Sequence, residues 1–313
     1  MSQPRIATFA RLANGAATPK RVIAGQETKL SRTMHGIAYD PVNDEIIVPS
    51  PVAAAILVFR GGADGAEAPI RVIQGDHTKL VYPHSVNVDV QNREIIVGDP
   101  GGRKIMVFPI NANGNVSPKR ILQGPKTKLG YVVGIAVDAE HDLLIASSSS
   151  LDAAFEGASR VRGLLIFNRT DDGDVAPKAI ISGPNTGISE GAWQVQVDQE
   201  RGQIFMSVGN VLNYRPRYAL DKLRDWAKDV PIRSPWGSER LGFVGVWNIT
   251  DNGDVEPKAV IKGPISGIVH PAGVALDIKN REIFVTDSNR NGTLTYSIPE
   301  LFGSRSESGE KTH

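Results

Sequence analysis

The sequence predicts an all-β fold, a five-bladed β-propeller. Three observations point to it: a set of four short strand-like runs that recurs five times, an aspartate that keeps the phase, and two chain ends that complement each other. The clearest copy runs from Ala68 to Phe108, APIRVIQGDHTKLVYPHSVNVDVQNREIIVGDPGGRKIMVF. Its runs IRVI, HSVNVDV, REIIVGD and KIMVF are β-branched or aliphatic and bounded by Gly, Pro, Asn or Asp, and none has the length or spacing of a helix. The aspartates closing the second run are Asp40, Asp89, Asp138, Asp198 and Asp277, spaced by 49, 49, 60 and 79 residues. A unit of about 50 residues carrying four strands is what repeats as a propeller blade, each sheet burying its faces against the next.

Taken in order, residues 5–10 (RIATFA) and 21–24 (RVIA) match the third and fourth strands of a blade without its first two. Copies follow with HGIAYDP, EIIVPS and AILVF, then HSVNVDV, REIIVGD and KIMVF, then VGIAVDA, LLIASSS and GLLIF. The fourth has WQVQVDQ, QIFMSVG and FVGVW. The last, AGVALDI, EIFVTDS and TLTYS, has strands one to three only. The two ends are therefore expected to complete one blade between them, which removes open sheet edges. Either IATFA or TLTYS could supply its third strand. The expected organisation is a single propeller domain over 1–302, with a polar, disordered tail at 303–313.

Composition agrees with one all-β domain: 313 residues, 41% hydrophobic, with Gly 32 and Pro 20 to supply turns. A net charge of +1 and no basic stripe interleaved with aromatics argue against a nucleic-acid partner. With Cys 0 there is no disulfide framework, thiolate nucleophile or cysteine metal site. No run reaches 18 apolar residues and MSQPRIATFA has no apolar h-region, so no membrane partner is expected. The compartment that follows is the cytoplasm, or the exterior if a leader has been removed.

The runs PHSVNVDVQNREIIVGDPGGRKIMVF and PAGVALDIKNREIFVTDSNRNGTLTYS resemble the repeats of the NHL family of propellers, and the likeness extends over nearly the whole chain. It implies the fold. The family includes lyases, hydrolase-like relatives and interaction modules, so it does not by itself imply a chemistry.

Comparison of the copies with one another separates framework from candidate site. The five phase aspartates lie where a carboxylate can accept local backbone N–H bonds, and the turns ANGNVSP, DDGDVAP and DNGDVEP place Gly where φ must be positive; both read as framework. In an up-and-down blade, the link from strand four to the next strand one and the link between strands two and three share one face of the disc, here the top. At the start of strand one, three of the chain's six histidines, His35, His84 and His270, fall on consecutive blades. Imidazoles converging with open positions left over would suit Zn²⁺ or a similar divalent ion. Framework histidines inherited by duplication are the competing reading. Among NHL-type enzymes, the lyases that cleave peptidyl-α-hydroxyglycines resemble this in holding zinc with channel histidines. They are six-bladed and disulfide-bonded, and no local motif aligns, so none of their catalytic residues is carried across.

Two copies are lengthened between strands two and three, at about 148–162 and 210–241. In the second, Leu220, Leu223, Trp226, Ala227 and Val230 follow Pro216 at helical spacing, which predicts a helical lid over the top face. Trp193, Asn210, Tyr214, Arg215 and Arg217 are the candidate substrate-binding residues, the arginines suited to a carboxylate. Asp99 and Asp287, ending strand two, are candidate proton-transfer groups, though Asp is common in NHL repeats at this position. The expected function is a small-molecule site at the channel mouth, a divalent-metal-dependent lyase or hydrolase acting on an anionic organic substrate. The alternative is a non-catalytic NHL-type scaffold that binds a protein or peptide on its top face.

Overall fold

The computed structural model describes residues 4–32, 35–149, 161–188, 191–209 and 241–303. It is all-β, with five blades in a propeller arrangement. The chain divides into two compact units, Met1–Lys178 and Ala179–His313.

The first unit opens with β1 (Arg5–Thr8) and β2 (Arg21–Ala24), a two-stranded sheet. The first blade is β3 (Ala38–Asp40), β4 (Glu45–Ser50), β5 (Ala55–Arg60) and β6 (Arg71–Gln74). The second is β7 (Ser85–Asp89), β8 (Glu94–Asp99), β9 (Lys104–Pro109) and β10 (Arg120–Gln123). The third blade begins with β11 (Tyr131–Asp138), β12 (Leu143–Ser149) and β13 (Gly163–Asn168). In the second unit, β14 (Ala179–Ile181) is fourth in the third blade's order. The fourth blade follows as β15 (Ala192–Asp198), β16 (Gln203–Val208), β17 (Phe243–Asn248) and β18 (Ala259–Ile261). The fifth has three strands, β19 (Pro271–Asp277), β20 (Glu282–Asp287) and β21 (Gly292–Ser297).

Blades stack through alternation along their strands. In β5, Ile56 and Val58 join Met106 and Phe108 of β9 in one buried cluster, whereas Leu57 and Phe59 of β5 join Ile23 of β2 in another. Successive residues of a strand point to opposite faces, so one strand feeds two interfaces. In the second unit, Val244 and Val246 of β17 pack with Leu294 and Tyr296 of β21 by the same rule.

At the strand-four edge, each of the first four blades is fastened to the preceding sheet by the hairpin loop between its strands three and four. Asp64 Oδ1 accepts the Val22 N–H at 2.8 Å, Gly65 N–H donates to the Val22 carbonyl at 2.9 Å, and Ala24 N–H donates to the Gly65 carbonyl at 2.8 Å. The clasp recurs with Asn113 on Val72, Asp172 on Ile121 and Asn252 on Ile180. Gly65, Gly114, Gly173 and Gly253 have φ of 62, 71, 73 and 85°, so glycine is needed there for backbone geometry, as the Asn-Gly and Asp-Gly turns imply. Removing one acceptor leaves a strand-edge N–H without its protein partner. Asp172→Ala is expected to lower the unfolding free energy by about 1 kcal/mol in urea denaturation, and an unchanged midpoint would show that the clasp contributes nothing.

The phase aspartates are framework, as their turn position suggests. Asp40, Asp89, Asp138 and Asp198 are buried. Asp89 accepts the Asn92 N–H and amide, and Asp277 does the same with Asn280. Across the first two blades, Arg93 binds Asp40 through both guanidinium nitrogens at 2.9 Å.

At the ends of the chain, β1 pairs with β2 in a two-stranded sheet of the first unit, and β21 pairs with β20 in the three-stranded sheet of the second. The helical lid at 210–241 and the insertion at 148–162 lie almost wholly outside the described residues, as does the tail beyond Gly303.

Candidate functional site

The upper ends of the strands carry the residues singled out from the sequence, and each unit holds its own set. In the first unit, His84 stands immediately before β7 and is held by its N–H on the Gly98 carbonyl at 2.9 Å. His35 lies against it with ring centroids 4.2 Å apart and planes 13° from parallel. Tyr131, at the start of β11, meets the His84 ring edge-on at 5.7 Å. His84 is 2% exposed. Burial, and then the neighbouring His35, push its pKa down to about 3, opposed by a hydrogen bond to the Val133 backbone. Burial lowers His35 as well. Both imidazoles are therefore neutral at pH 7.

Neutral imidazole is the metal-binding form, but the geometry here is wrong for sharing an ion. The nitrogen lone pairs lie in the ring planes, so two nearly parallel rings point them side by side rather than toward one centre. Among the described residues, no group of three or more His, Cys, Asp or Glu side chains is placed to hold a metal ion.

In the second unit, His270 is 1% exposed and meets Trp193 edge to face, centroids 6.0 Å apart. Trp193 is 7% exposed, so its ring is a packed wall. Gly209 permits this packing: a Cβ there would lie 2.7 Å from Trp193 Nε1 and 2.9 Å from His270 Cε1. The register shifts at Val132/Gly134, Ala192/Val195 and Pro271/Gly273 mark bulges at the starts of β11, β15 and β19. A bulge re-aims the side chains beside it, which is why His270, two positions off the repeat, falls into the protein interior.

Asp99 and Asp287 perform one task in two blades. Asp99 Oδ2 accepts the Val81 N–H at 2.6 Å, and Oδ1 accepts those of Tyr82 and Gly102 at 2.9 and 3.1 Å. Asp287 accepts from Val269 and His270 at 2.7 and 2.8 Å, and from Asn289 and Arg290 at 3.0 Å. Both carboxylates are buried. Each ties the end of strand two to the segment eighteen residues earlier that leads into strand one. In the third blade, Ser148 Oγ accepts the Gly130 N–H across the same separation, and in the first Ser50 bonds Ser31. The position is a loop anchor whose chemistry varies from blade to blade.

Asn210, Tyr214, Arg215 and Arg217 lie outside the described residues. Sequence reasoning did not single out Tyr131, or Lys104, whose ammonium is buried beside Gly102 and donates to the Lys79 carbonyl. Burial lowers the Lys104 pKa. The only signal for either was its place at the start of a strand, level with the histidines.

The blades and their anchoring define a β-propeller, and the described upper residues are largely engaged in holding it. No family model matches the chain, and no curated protein matches it. Among solved structures, it is similar to the hydrazine synthase of Kuenenia stuttgartiensis, with a TM-score of 0.57 and 11% identity over 91% of this chain and 68% of that one. It is also similar to a chain of the mitotic checkpoint complex, with a TM-score of 0.53 and 11% identity over 90% of this chain and 67% of the other. At such identity the likeness shows the fold alone.

Proposed function

We propose that the chain is a non-catalytic propeller scaffold of the NHL type, whose top face binds a protein or peptide. The observation behind this reading is the use made of Asp99 and Asp287: each accepts several backbone N–H bonds, so neither is free to move a proton. The stacked, neutral histidine pair points the same way, since nothing in its geometry activates a water or polarises a carbonyl.

Two measurements test it. Protein purified without a histidine tag is expected to carry no stoichiometric zinc, and a His35→Ala/His84→Ala variant to match it. Zinc bound one per chain and lost in the variant would restore the metal-dependent lyase or hydrolase acting on an anionic substrate. For the positive arm, peptides selected from a displayed library on the immobilised chain should lose binding when Val81, half exposed beside Asp99 at the upper end of the second blade, is changed to Asp. Failure to select any peptide sensitive to that change would count against the top face as a docking surface.

A further inference from the structure

We propose that Asn14 is a site of spontaneous modification, where the Gly15 backbone nitrogen closes on the Asn14 side chain, expels ammonia and leaves an aspartyl or isoaspartyl residue. The same step at Asn113 and Asn252 is suppressed by the clasps. This goes beyond the top-face reading and does not depend on it.

Four Asn-Gly steps occur in the chain, at Asn14, Asn113, Asn252 and Asn291. The first three hold one position of the repeat: Asn14 precedes β2 by 7 residues (21 − 14), Asn113 precedes β10 by 7 (120 − 113) and Asn252 precedes β18 by 7 (259 − 252). Asn291 belongs to a different link, between β20 and β21. In the three equivalent loops the glycine is left-handed, with φ of 62, 71 and 85° at Gly15, Gly114 and Gly253. Glycine also makes the step reactive, because no Cβ crowds its nitrogen as it approaches the preceding side chain.

Exposure does not separate the three steps, since both residues of each are exposed. Bonding does. At Asn113, Oδ1 accepts the Val72 N–H at 3.2 Å and the Gly114 N–H donates to the Val72 carbonyl at 2.7 Å. At Asn252, Oδ1 accepts the Ile180 N–H at 2.9 Å and the Gly253 N–H donates to the Ile180 carbonyl at 2.7 Å. Nucleophile and electrophile are each tied to the neighbouring strand, so ring closure must first break both bonds by a local opening of the clasp. At Asn14, by contrast, the Gly15 N–H donates to Asn14 Oδ1 itself at 2.8 Å. The nitrogen that must attack already stands beside the carbonyl it attacks, which is the kind of positioning that lowers the cost of an intramolecular step.

The step balances with water as the only co-reactant. The Gly15 nitrogen bonds to the side-chain carbonyl carbon and gives up its proton, and the side-chain nitrogen leaves with that proton as ammonia. Water then opens the cyclic imide at either carbonyl. One opening gives aspartate; the other gives isoaspartate, in which the chain runs through the side-chain carboxyl group. Either product adds one negative charge to the loop between β1 and β2. Aspartate suits this position of the repeat, as Asp64 and Asp172 occupy it in their own clasps.

The test keeps the full chain in mildly alkaline buffer made with heavy-oxygen water and follows peptides covering the three steps by mass spectrometry, with isoaspartate resolved from aspartate. Conversion at Asn14 is expected to be at least about tenfold faster than at Asn113 or Asn252, with heavy oxygen in both products. In urea, where the clasps are lost, the three rates should agree within about threefold. Equal rates in the folded chain, a difference that persists in urea, or aspartate without isoaspartate at Asn14 would each overturn the proposal.

Discussion

Replacing Asp99 by Ala is expected to lower the unfolding free energy of the first unit by about 3 kcal/mol. The carboxylate is the acceptor for three backbone N–H groups, those of Val81, Tyr82 and Gly102. A partly enclosed donor left without an acceptor costs about 1–3 kcal/mol, and bonds to a charged acceptor lie toward the upper end. Three such losses at the low end already reach the stated figure, a large fraction of the 5–15 kcal/mol typical of a domain. Asp99→Asn keeps one carbonyl oxygen and should lose less. Urea denaturation followed by tryptophan-independent circular dichroism would measure both. A stable Asp99→Ala protein, within about 0.5 kcal/mol of the parent, would mean that the carboxylate has another purpose.

The second large effect is a loss of stability in mild acid. In the folded chain the His84 pKa lies near 3, well below the ordinary 6.5. A base held neutral by burial favours the folded state fully above pH 6.5, and that advantage disappears progressively as the pH falls toward 3, because the unfolded chain takes up the proton first. Each pH unit inside the window is worth about 1.4 kcal/mol, so moving from pH 7 to pH 5 should cost about 2 kcal/mol from His84, with His35 adding in the same direction. The ion-paired carboxylates do not confuse the measurement. Burial pushes Asp40 up, but Arg93 and the Val42 N–H outweigh it and hold its pKa below the usual value; Lys119 and Arg120 do the same for Glu94. Their contribution is present above the unfolded carboxylate range and is lost only below about pH 4. Thermal melts at pH 7, 6 and 5 should therefore fall for the parent and flatten for His84→Phe. Parallel pH profiles for the two proteins would remove His84 as the cause.

Much of the fold was legible because the repeat announces itself. Asp40, Asp89, Asp138, Asp198 and Asp277 mark strand one in every copy, and the Asn-Gly and Asp-Gly turns mark the hairpins that become clasps. Two-residue periodicity also located His35 and His84 at neighbouring strand starts. Ring orientation was not legible: whether two imidazoles converge or stack depends on side-chain rotation and on the close approach of Gly36 to Ser85. His270 and Trp193 were harder still, because a bulge inserts its extra residue through tertiary packing rather than through any local motif. The role of Asp99 depends on N–H groups eighteen positions away, a relation visible in one sequence only after Asp287 is seen to repeat it.

The clasps also determine where such a chain can change length. From the end of strand three to the start of strand four, Arg60 to Arg71, Pro109 to Arg120, Asn168 to Ala179 and Asn248 to Ala259, the offset is 11 every time (71 − 60). From strand two to strand three, the offset is 5 between Asp99 and Lys104 (104 − 99), but 14 between Ser149 and Gly163 (163 − 149) and 35 between Val208 and Phe243 (243 − 208). A loop that must deliver an Asx oxygen and a glycine backbone to a neighbour's strand has no room for indels, whereas the link between strands two and three varies in length from blade to blade. Divergence in this architecture is thereby channelled to one rim of the sheets, the rim at which strand two passes to strand three.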